Sequence, residues 1–478
     1  MPPQHPGRSL LPSLLLLAAG VLALSGCTAS MTSNPSSNAK TGPSFVIGTD
    51  APMDAVTSFT VQVQSVVLTD ASGNTASLIS GTPTVDFARF NGLQTLLDMN
   101  AVPAGTYTSA TITLGSATIG YLDTTSTPPV ISTQAAVLSS NTVTATLDKP
   151  LVIATDGTPA GLRIDFDLQK SIQVDSNNQI TGNVTPTFHV NTVTSGDQGA
   201  HIDEYIASVV TVPSGATEPQ SFVVQGPHGR QLTVNTTAST EWDGSASLSA
   251  LSTSSIVLIA GDVDNATSSI DADEIAILSQ TGFYAEGQVT YVTPASGAAT
   301  SFDLYVRGVL PASTGVQLGN IATIDLSGSE NFGIYWMHNP FTNFLFNSSQ
   351  IIAGQHIAVG GQASGAANAS AVTVKRVTLR NWGFDGTIVA NSQSSAKGTF
   401  QMQVNGFAGV LIPQTVTVYL GGKSDFRYGC GSFGDLGNGA KVRVVGLLLK
   451  DPTTGNPVIL ARHVDGLSFN DMNTTSWQ

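Results

Sequence analysis

Short runs of alternating apolar and polar residues, each closing on glycine and followed by a second apolar run, occur three times in the C-terminal half of the chain. An alternation with a period of two residues predicts β-strands with one buried face. We interpret the three occurrences as one β unit that is used repeatedly. The glycine-ended runs and their partners lie at residues 255–261 and 275–278, 354–360 and 372–379, and 439–446 and 457–462.

Each unit also contains strand-like runs ahead of the glycine-ended run, so that five or six short strands are predicted per unit. This number of short strands indicates a small closed barrel of OB-like size. The glycine is expected where a strongly bent strand leaves the barrel. The predicted modules span residues 201–281, 283–381 and 383–469, and a tail follows at 470–478.

The segment at residues 44–194 has a different pattern, with about eight short strand-like runs separated by turn residues. Such spacing predicts a β-sandwich with Greek-key connections. Residues 93–98 are the one short stretch of this segment that reads as helical. The predicted fold class is therefore all-β, an N-terminal Greek-key sandwich followed by three tandem small barrels.

Composition supports a folded multidomain protein and excludes a nucleic-acid partner. A chain of 478 residues is too long for one core. Hydrophobic residues make up 41% of the chain and charged residues 10%, which is the opposite of a disordered composition. The net charge is -14, and the 18 Lys and Arg residues are scattered, whereas phosphate binding needs a concentrated basic surface.

The N-terminus reads as an export signal. Arg8 precedes an apolar run at residues 10–24, which ends in Leu-Ser-Gly-Cys at residues 24–27. This ending resembles a bacterial lipobox, which implies that residues 1–26 are a signal peptide and that Cys27 receives a diacylglycerol thioether. A secretory signal with a chance cysteine is the alternative. Thr28, in place of Asp, favours the outer membrane by resemblance to Gram-negative sorting.

The lipid on Cys27 would anchor the protein to a membrane without a spanning helix, because each buried CH₂ contributes about 0.8 kcal/mol. Residues 27–43, rich in Ser, Asn and Pro, are predicted to be a flexible linker. A lipidated Cys27 leaves Cys430 without a disulfide partner. Cys430 is then either a reactive thiol or a small buried residue.

Ordered motifs in the first third of the mature chain carry a family resemblance. They occur at residues 49–52, 61–63, 93–97, 103–107 and 162–168, and they end at Pro186. This series resembles domain-of-unknown-function family 4382, an uncharacterised β-domain family of bacterial lipoproteins. The three repeated units are similar in strand order and glycine position to a second lipoprotein family, domain-of-unknown-function family 5666. These resemblances imply location and fold, and no catalytic residue.

An aromatic segment at residues 334–346 is an insertion in the second unit. Aromatic faces stack on sugar rings or partner side chains. The alternatives are a binding loop for a glycan or an envelope protein, or a structural segment that plugs a barrel end or packs between modules. The candidate binding residues are Tyr335, Trp336, His338, Phe341 and Phe344.

Four aspartates flank one hairpin of the first unit: Asp262, Asp264, Asp271 and Asp273. Clustered carboxylates suit calcium, but this spacing lacks the glycine and terminal glutamate of an EF-hand, so a solvated acidic turn is the competing interpretation. The histidines show no zinc-ligand spacing, and the chain has no P-loop, nucleophile elbow or dinucleotide motif leading into a helix. We therefore expect no cofactor and no resident metal.

We expect a non-catalytic, lipid-anchored protein of the cell envelope, with its four folded parts forming an extended rod that presents loops for binding or assembly. Binding of carbohydrate or matrix through the aromatic segment is the alternative. A hydrolase with a site at a module junction is the second alternative.

Overall fold

The computed structural model describes residues 40–51, 56–90, 93–123, 127, 130–176, 180–195, 200–227, 229–243, 246–264, 269–311, 316–335, 344–363, 372–404, 414–422, 424–427 and 430–466. Nearly every element among them is a β-strand, which confirms the all-β prediction. Cys27 and the predicted signal and linker lie outside the described residues, apart from the last few linker positions.

The described residues of the N-terminal part, called the sandwich below, form thirteen strands, one 3-10 helix at Phe87–Arg89 and one turn of α-helix. Its strands are β1 Thr41–Ala51, β2 Ser58–Asp70, β3 Thr75–Ser77, β4 Thr84–Asp86, β5 Thr95–Pro103, β6 Gly105–Asp123, β7 Val130–Ala135, β8 Val137–Leu138, β9 Thr142–Ile153, β10 Ala160–Asp167, β11 Ile172–Val174, β12 Ile180–Val184 and β13 Phe188–Thr194. The helix α1 is Leu168–Ser171, and the Asp167 side chain caps it by accepting from Lys170 N.

Two sheets of the sandwich enclose a common apolar core. One sheet has the order β13-β10-β1-β5, and the other has the order β3-β2-β6-β7, with β4 and β9 paired to β2 and β6. Phe59 from the second sheet meets Phe166 from the first, with ring centroids 4.8 Å apart. Strands β1 and β10 pair in parallel in the middle of their sheet, and every residue of β10 is buried, as expected for a strand covered on both faces.

The helix predicted at residues 93–98 is wrong, because most of that stretch belongs to strand β5. β5 pairs antiparallel with β1, and Ile47 lies opposite Leu96. Leu96 and Met99 are buried in a cluster shared with the first barrel. This tertiary packing overrides the helical spacing of the leucines, since local propensity is a weak prior.

Three six-stranded sheets follow, each built from one continuous stretch of chain. The first barrel comprises β14 Ile202–Thr211, β15 Gln220–Gln225, β16 Gln231–Thr236, β17 Glu241–Trp242, β18 Ile256–Val263 and β19 Ser269–Ser279. The second comprises β20 Phe283–Thr293, β21 Ser301–Leu310, β22 Ile321–Asp325, β23 Asn331–Ile334, β24 His356–Ala363 and β25 Val372–Arg380. The third comprises β26 Trp382–Ile388, β27 Thr399–Val404, β28 Gln414–Tyr419, β29 Asp425–Arg427, β30 Lys441–Lys450 and β31 Pro457–Asp465.

The three sheets share one strand order, in which the first strand pairs with the second and the fifth, and the fifth pairs with the sixth. In the first and third barrels the third strand also pairs in parallel with the sixth, which closes five strands into a ring. This arrangement is the small Greek-key barrel of the OB class. In the second barrel, no pairing joins β22 to β25 among the described residues.

A glycine at a β-bulge bends the fifth strand of each barrel, in agreement with the expected role of the repeated glycines. The register shifts fall at Gly261, Gly361 and Gly446, the second of them one residue beyond the predicted Gly360. A Cβ added at Gly446 would lie 2.2 Å from the Leu460 carbonyl oxygen, so that only glycine allows this approach.

The expectation of an extended rod is wrong for the described residues. The described residues from Lys40 to Gly466 form one compact unit. Phe45 and Met99 of the sandwich share a core cluster with the first barrel. Leu447 and Leu460 of the third barrel share a core cluster with the second. The parts therefore bury apolar faces against one another, which separated beads would leave in water.

Candidate functional site

The contacts of the four predicted aspartates divide them into two pairs, Asp264 with Asp271 and Asp262 with Asp273. Asp264 and Asp271 share the side-chain amide of Asn235, whose Nδ2 donates at 3.1 and 3.0 Å. Ser269 Oγ also donates to Asp264 at 3.2 Å. This pair is therefore held by hydrogen bonds within the barrel.

Asp262 and Asp273 form the other pair, and they converge on His201. The His201 Nδ1 atom lies 3.3 Å from Asp262 Oδ1 and 3.9 Å from Asp273 Oδ2. Burial acts to lower the pKa of His201, but the hydrogen bond to Asp262 and nearby carboxylates raise it above its usual value. The sequence did not indicate this group, because His201 is distant along the chain and only the strand register brings it to the hairpin.

The aromatic segment is only partly described. Tyr335 is buried, with 1% exposure, and the Arg380 guanidinium lies 5.6 Å from its ring centroid. The Tyr335 ring therefore cannot stack on a ligand that comes from solvent. The prediction that Tyr335 is a binding residue is corrected accordingly. Phe344 is half-buried and meets Tyr419 of the third barrel edge to face at 5.6 Å. Trp336, His338 and Phe341 lie outside the described residues.

A cleft of about 760 Å³ opens where the sandwich, the first barrel and the second barrel meet. Apolar side chains such as Phe90, Ile206 and Leu310 form much of its wall. Its charged lining residues come from all three parts: Asp86, Arg89 and Asp98 from the sandwich, Arg230 from the first barrel and Arg307 from the second.

Arg230 and Asp98 form an ion pair that joins the first barrel to the sandwich at the cleft wall. Asp98 also accepts from the Ser80 backbone N–H at 2.7 Å and from Ser80 Oγ at 2.9 Å. Asp98 is buried, whereas the Arg230 side chain keeps 26% of its surface exposed. A guanidinium that is anchored at one end and partly exposed can still reach a bound molecule.

Arg307 and Asp86 lie deeper in the same wall. Arg307 Nη1 is 3.9 Å from Asp86 Oδ2, and its Nε donates to Gln288. The guanidinium carbon lies 4.9 Å from the ring centroid of Trp382, the first strand residue of the third barrel. Neither Nη1 nor Nη2 has a hydrogen-bond partner among the described residues. Burial raises the pKa of Asp86 and lowers the pKa of Arg307, while each charge opposes the shift of the other.

A buried charge network centred on Glu286 lies behind the cleft. Glu286 is fully buried and pairs with Arg89 of the sandwich and with Arg380, whose Nη1 donates at 2.7 Å. Arg380 also pairs with Glu204 of the first barrel. Burial alone would raise the pKa of Glu286, but the two arginines hold it well below its usual range. The network therefore ties three parts of the fold through charges that are far apart in sequence.

Two further side chains of the network lie against the Glu286 carboxylate. The Tyr284 hydroxyl donates to Glu286 Oε2 at 2.5 Å, and His356 Nε2 lies 3.5 Å from the same oxygen. His356 is buried and stands edge to face on Trp382 at 4.8 Å. The Tyr284 hydrogen bond and the nearby His356 imidazole therefore add to the two arginine contacts around the carboxylate.

Of the two alternatives for Cys430, a reactive thiol or a small buried residue, the structure favours the second. Its exposure is 4%, and its Sγ donates to the Ser432 carbonyl oxygen at 3.4 Å. Burial raises the pKa of the thiol, which keeps it in the unreactive protonated form. A reactive role is not favoured by this environment.

No helix among the described residues is both long enough and apolar enough to cross a membrane.

Comparison with known proteins gives one family match, which covers part of the chain. No curated protein matches the chain. Residues 46–182, most of the sandwich, match the profile of the family described as "Domain of unknown function (DUF4382)", which confirms the first of the two predicted resemblances.

Proposed function

We propose that this protein is a lipid-anchored component of the bacterial cell envelope that binds a small ligand without chemical turnover. The anchor rests on the lipobox-like sequence ending at Cys27. The single observation that carries the binding role is the cleft where the sandwich and the first two barrels meet.

The cleft has the size and lining of a ligand site. Its volume of about 760 Å³ lies within the range of about 300–1,000 Å³ typical of small-molecule pockets. Such pockets occur preferentially at domain interfaces, with apolar walls and a few fixed polar groups. Ion pairs between the parts hold the walls in place, so a ligand would meet a preformed surface.

The charge of the lining favours a ligand with an anionic group. Three arginines and two aspartates line the cleft, in a chain whose net charge is -14. Arg89 and Arg230 keep 27% and 26% of their side-chain surface exposed. A guanidinium recognises carboxylate or phosphate groups through paired hydrogen bonds. An apolar tail on the same ligand would pack against the apolar wall.

A charge placed at the cleft mouth tests this proposal without breaking any ion pair. Leu318 lines the cleft and is 42% exposed. The L318E variant should weaken binding of 4-phenylbutyrate by about tenfold or more, since it adds a negative charge where the anion binds. Val212 is similarly exposed, at 46%, and does not line the cleft, so V212E is the matched control.

Binding would be measured on the purified protein by ligand-observed NMR and by the thermal unfolding midpoint. The panel would contain 4-phenylbutyrate, its neutral amide and inorganic phosphate. Anionic members should bind and the amide should not. Equal binding by L318E and V212E, or equal binding of the acid and the amide, would contradict the proposal.

The anchor has its own test. Labelled palmitate should attach to the wild-type protein in cells, and C27S should remain unlabelled and leave the membrane fraction. Membrane fractionation of the labelled protein should place it in the outer membrane. Labelling that persists in C27S would exclude Cys27 as the lipidated residue.

A hydrolytic reaction in the same cleft is the second candidate, because burial raises the pKa of Asp86, a carboxylate of the cleft wall. Perturbed carboxylates mark candidate acid or base groups. Turnover of ester or glycoside probes that is lost in D86N, with ligand binding retained, would favour this candidate. Glycan binding through the aromatic segment stays a prediction that W336A would test on a glycan array.

A further inference from the structure

We propose that His201, Asp262 and Asp273 form a binding site for a divalent transition-metal ion, with Zn²⁺ as the best fit. The site lies on the first barrel and shares no residue with the cleft lining, so it goes beyond the proposed ligand binding. One imidazole nitrogen and two carboxylate oxygens converge there, all within 4.8 Å of one another. This donor set is one that zinc uses in proteins.

The distances between the donor atoms suit a four-coordinate ion. Zinc bonds of about 2.0–2.1 Å to nitrogen and oxygen place tetrahedral ligand atoms about 3.3–3.4 Å apart. His201 Nδ1 and Asp262 Oδ1 are already 3.3 Å apart. Asp273 Oδ2 lies 3.9 Å from the same nitrogen, and its side chain is 63% exposed. A small rotation of the Asp273 side chain therefore completes three ligands, and water would take the open position.

Rigid strands present the three residues. Asp262 lies on β18 and Asp273 on β19, and His201 directly precedes β14, which pairs with β18. The bulge at Gly261 falls immediately before Asp262. A Cβ added at Gly261 would lie 2.1 Å from the Asp271 carbonyl oxygen. Bulges of this kind redirect side chains and are common beside functional sites. Ligands placed on paired strands lose little freedom on binding an ion.

The fold itself does not require this donor set, as the other two barrels show. Strand pairing and the bulge glycines define the equivalent positions in each barrel. At the positions of His201, Asp262 and Asp273, the second barrel has Gly282, Gln362 and Lys375. The third barrel has Asn381, Leu447 and Arg462 at these positions. The barrels share the backbone, and the ligand set is confined to the first.

The neighbouring charges also favour a cation. Asp203 lies close enough to contribute to the field at His201, so two ligand carboxylates and a third acidic group surround one imidazole. Among the described residues, His201 is the one favourable charge near Asp273, which also has Asp262 and Asp271 as like-charged neighbours. A divalent cation held between Asp262 and Asp273 would offset this repulsion more fully than one imidazole does.

The experiment uses the purified protein after treatment with a chelator, titrated with ZnCl₂, MnCl₂ and CaCl₂ by calorimetry. We expect saturable Zn²⁺ binding at one ion per chain, weaker Mn²⁺ binding and no comparable Ca²⁺ binding. H201Q and D273N should each weaken Zn²⁺ binding by about tenfold or more. Co²⁺ should give a visible absorption band typical of four-coordinate geometry, and the band should disappear in both variants.

The same hairpin supplies the matched control, since D271N removes an equal charge from the pair held by Asn235 and should weaken Zn²⁺ binding far less than D273N does. The Asp273 side chain is mostly exposed, so D273N should keep the wild-type circular dichroism spectrum and unfolding midpoint. Absence of saturable Zn²⁺ binding would overturn the proposal. Binding unaffected by H201Q and D273N, or lost equally in D271N, would do the same.

Discussion

Replacement of Glu286 by glutamine should be among the most damaging conservative changes in the protein. The carboxylate is fully buried and faces Arg89 and Arg380, with the Tyr284 hydroxyl donating at 2.5 Å. Glutamine keeps the shape and removes the charge, so the two guanidinium groups lose their shared counterion. Removing one partner of a buried ion pair typically costs about 3–5 kcal/mol, because an uncompensated charge remains buried.

The lower end of this range is expected here. Arg89 keeps 27% of its side-chain surface exposed and can gain hydration, and Arg380 retains Glu204 as a partner. The free energy of unfolding should therefore fall by about 3 kcal/mol in E286Q. Urea unfolding followed by tryptophan fluorescence and circular dichroism measures this loss. E241Q removes an exposed carboxylate of the first barrel and should change the free energy by about 0.5 kcal/mol or less.

A double-mutant cycle separates the ion pair from general damage. If Glu286 and Arg380 act together, E286Q combined with R380M should cost less than the sum of the single changes, by about 0.5–3 kcal/mol. Loss of less than about 1 kcal/mol in E286Q, or strict additivity in the cycle, would refute the view that this network holds the parts together.

Three further predictions concern single residues. Burial acts to raise the pKa of Asp167, but the His189 ring 3.5 Å away and the hydrogen bond from Lys170 lower it to about 2. Its stabilisation is therefore complete above about pH 4 and is lost as pH falls towards 2, and D167N should flatten the acid limb of the stability profile by about 2 kcal/mol. G446A should lower the free energy of unfolding by about 2–3 kcal/mol, whereas G422A, where nothing lies within 4 Å of the added Cβ, should be nearly neutral in the same urea assay. Cys430 should react with a thiol reagent at the rate of unfolding, and a fast reaction in the native protein would contradict its burial.

Local patterns were sufficient for the elements and their repeats. Alternation along residues 439–446 predicts a strand, and the structure has β30 Lys441–Lys450 there. The repeated glycines predict bends, and the register shifts fall at or beside them. The helix predicted at residues 93–98 failed because Leu96 is buried against the first barrel, a contact that no local pattern contains.

The candidate sites also differ in how much of each can be recognised from local sequence. The hairpin carrying Asp262 and Asp273 could be found from its acidic residues, but His201 joins it only through the pairing of β14 with β18. The cleft and the Glu286 network unite residues from three parts of the chain, so no spacing of residues indicates them.

The sequence by itself determined the all-β class, the sandwich that matches a known family and the repetition of the barrel unit, because these depend on neighbours along the chain. Only the tertiary structure decided how the parts pack, which charges are buried together and which side chains share a site. Burial and charge pairing depend on distances in space, and strand register sets those distances between residues that the chain itself keeps far apart.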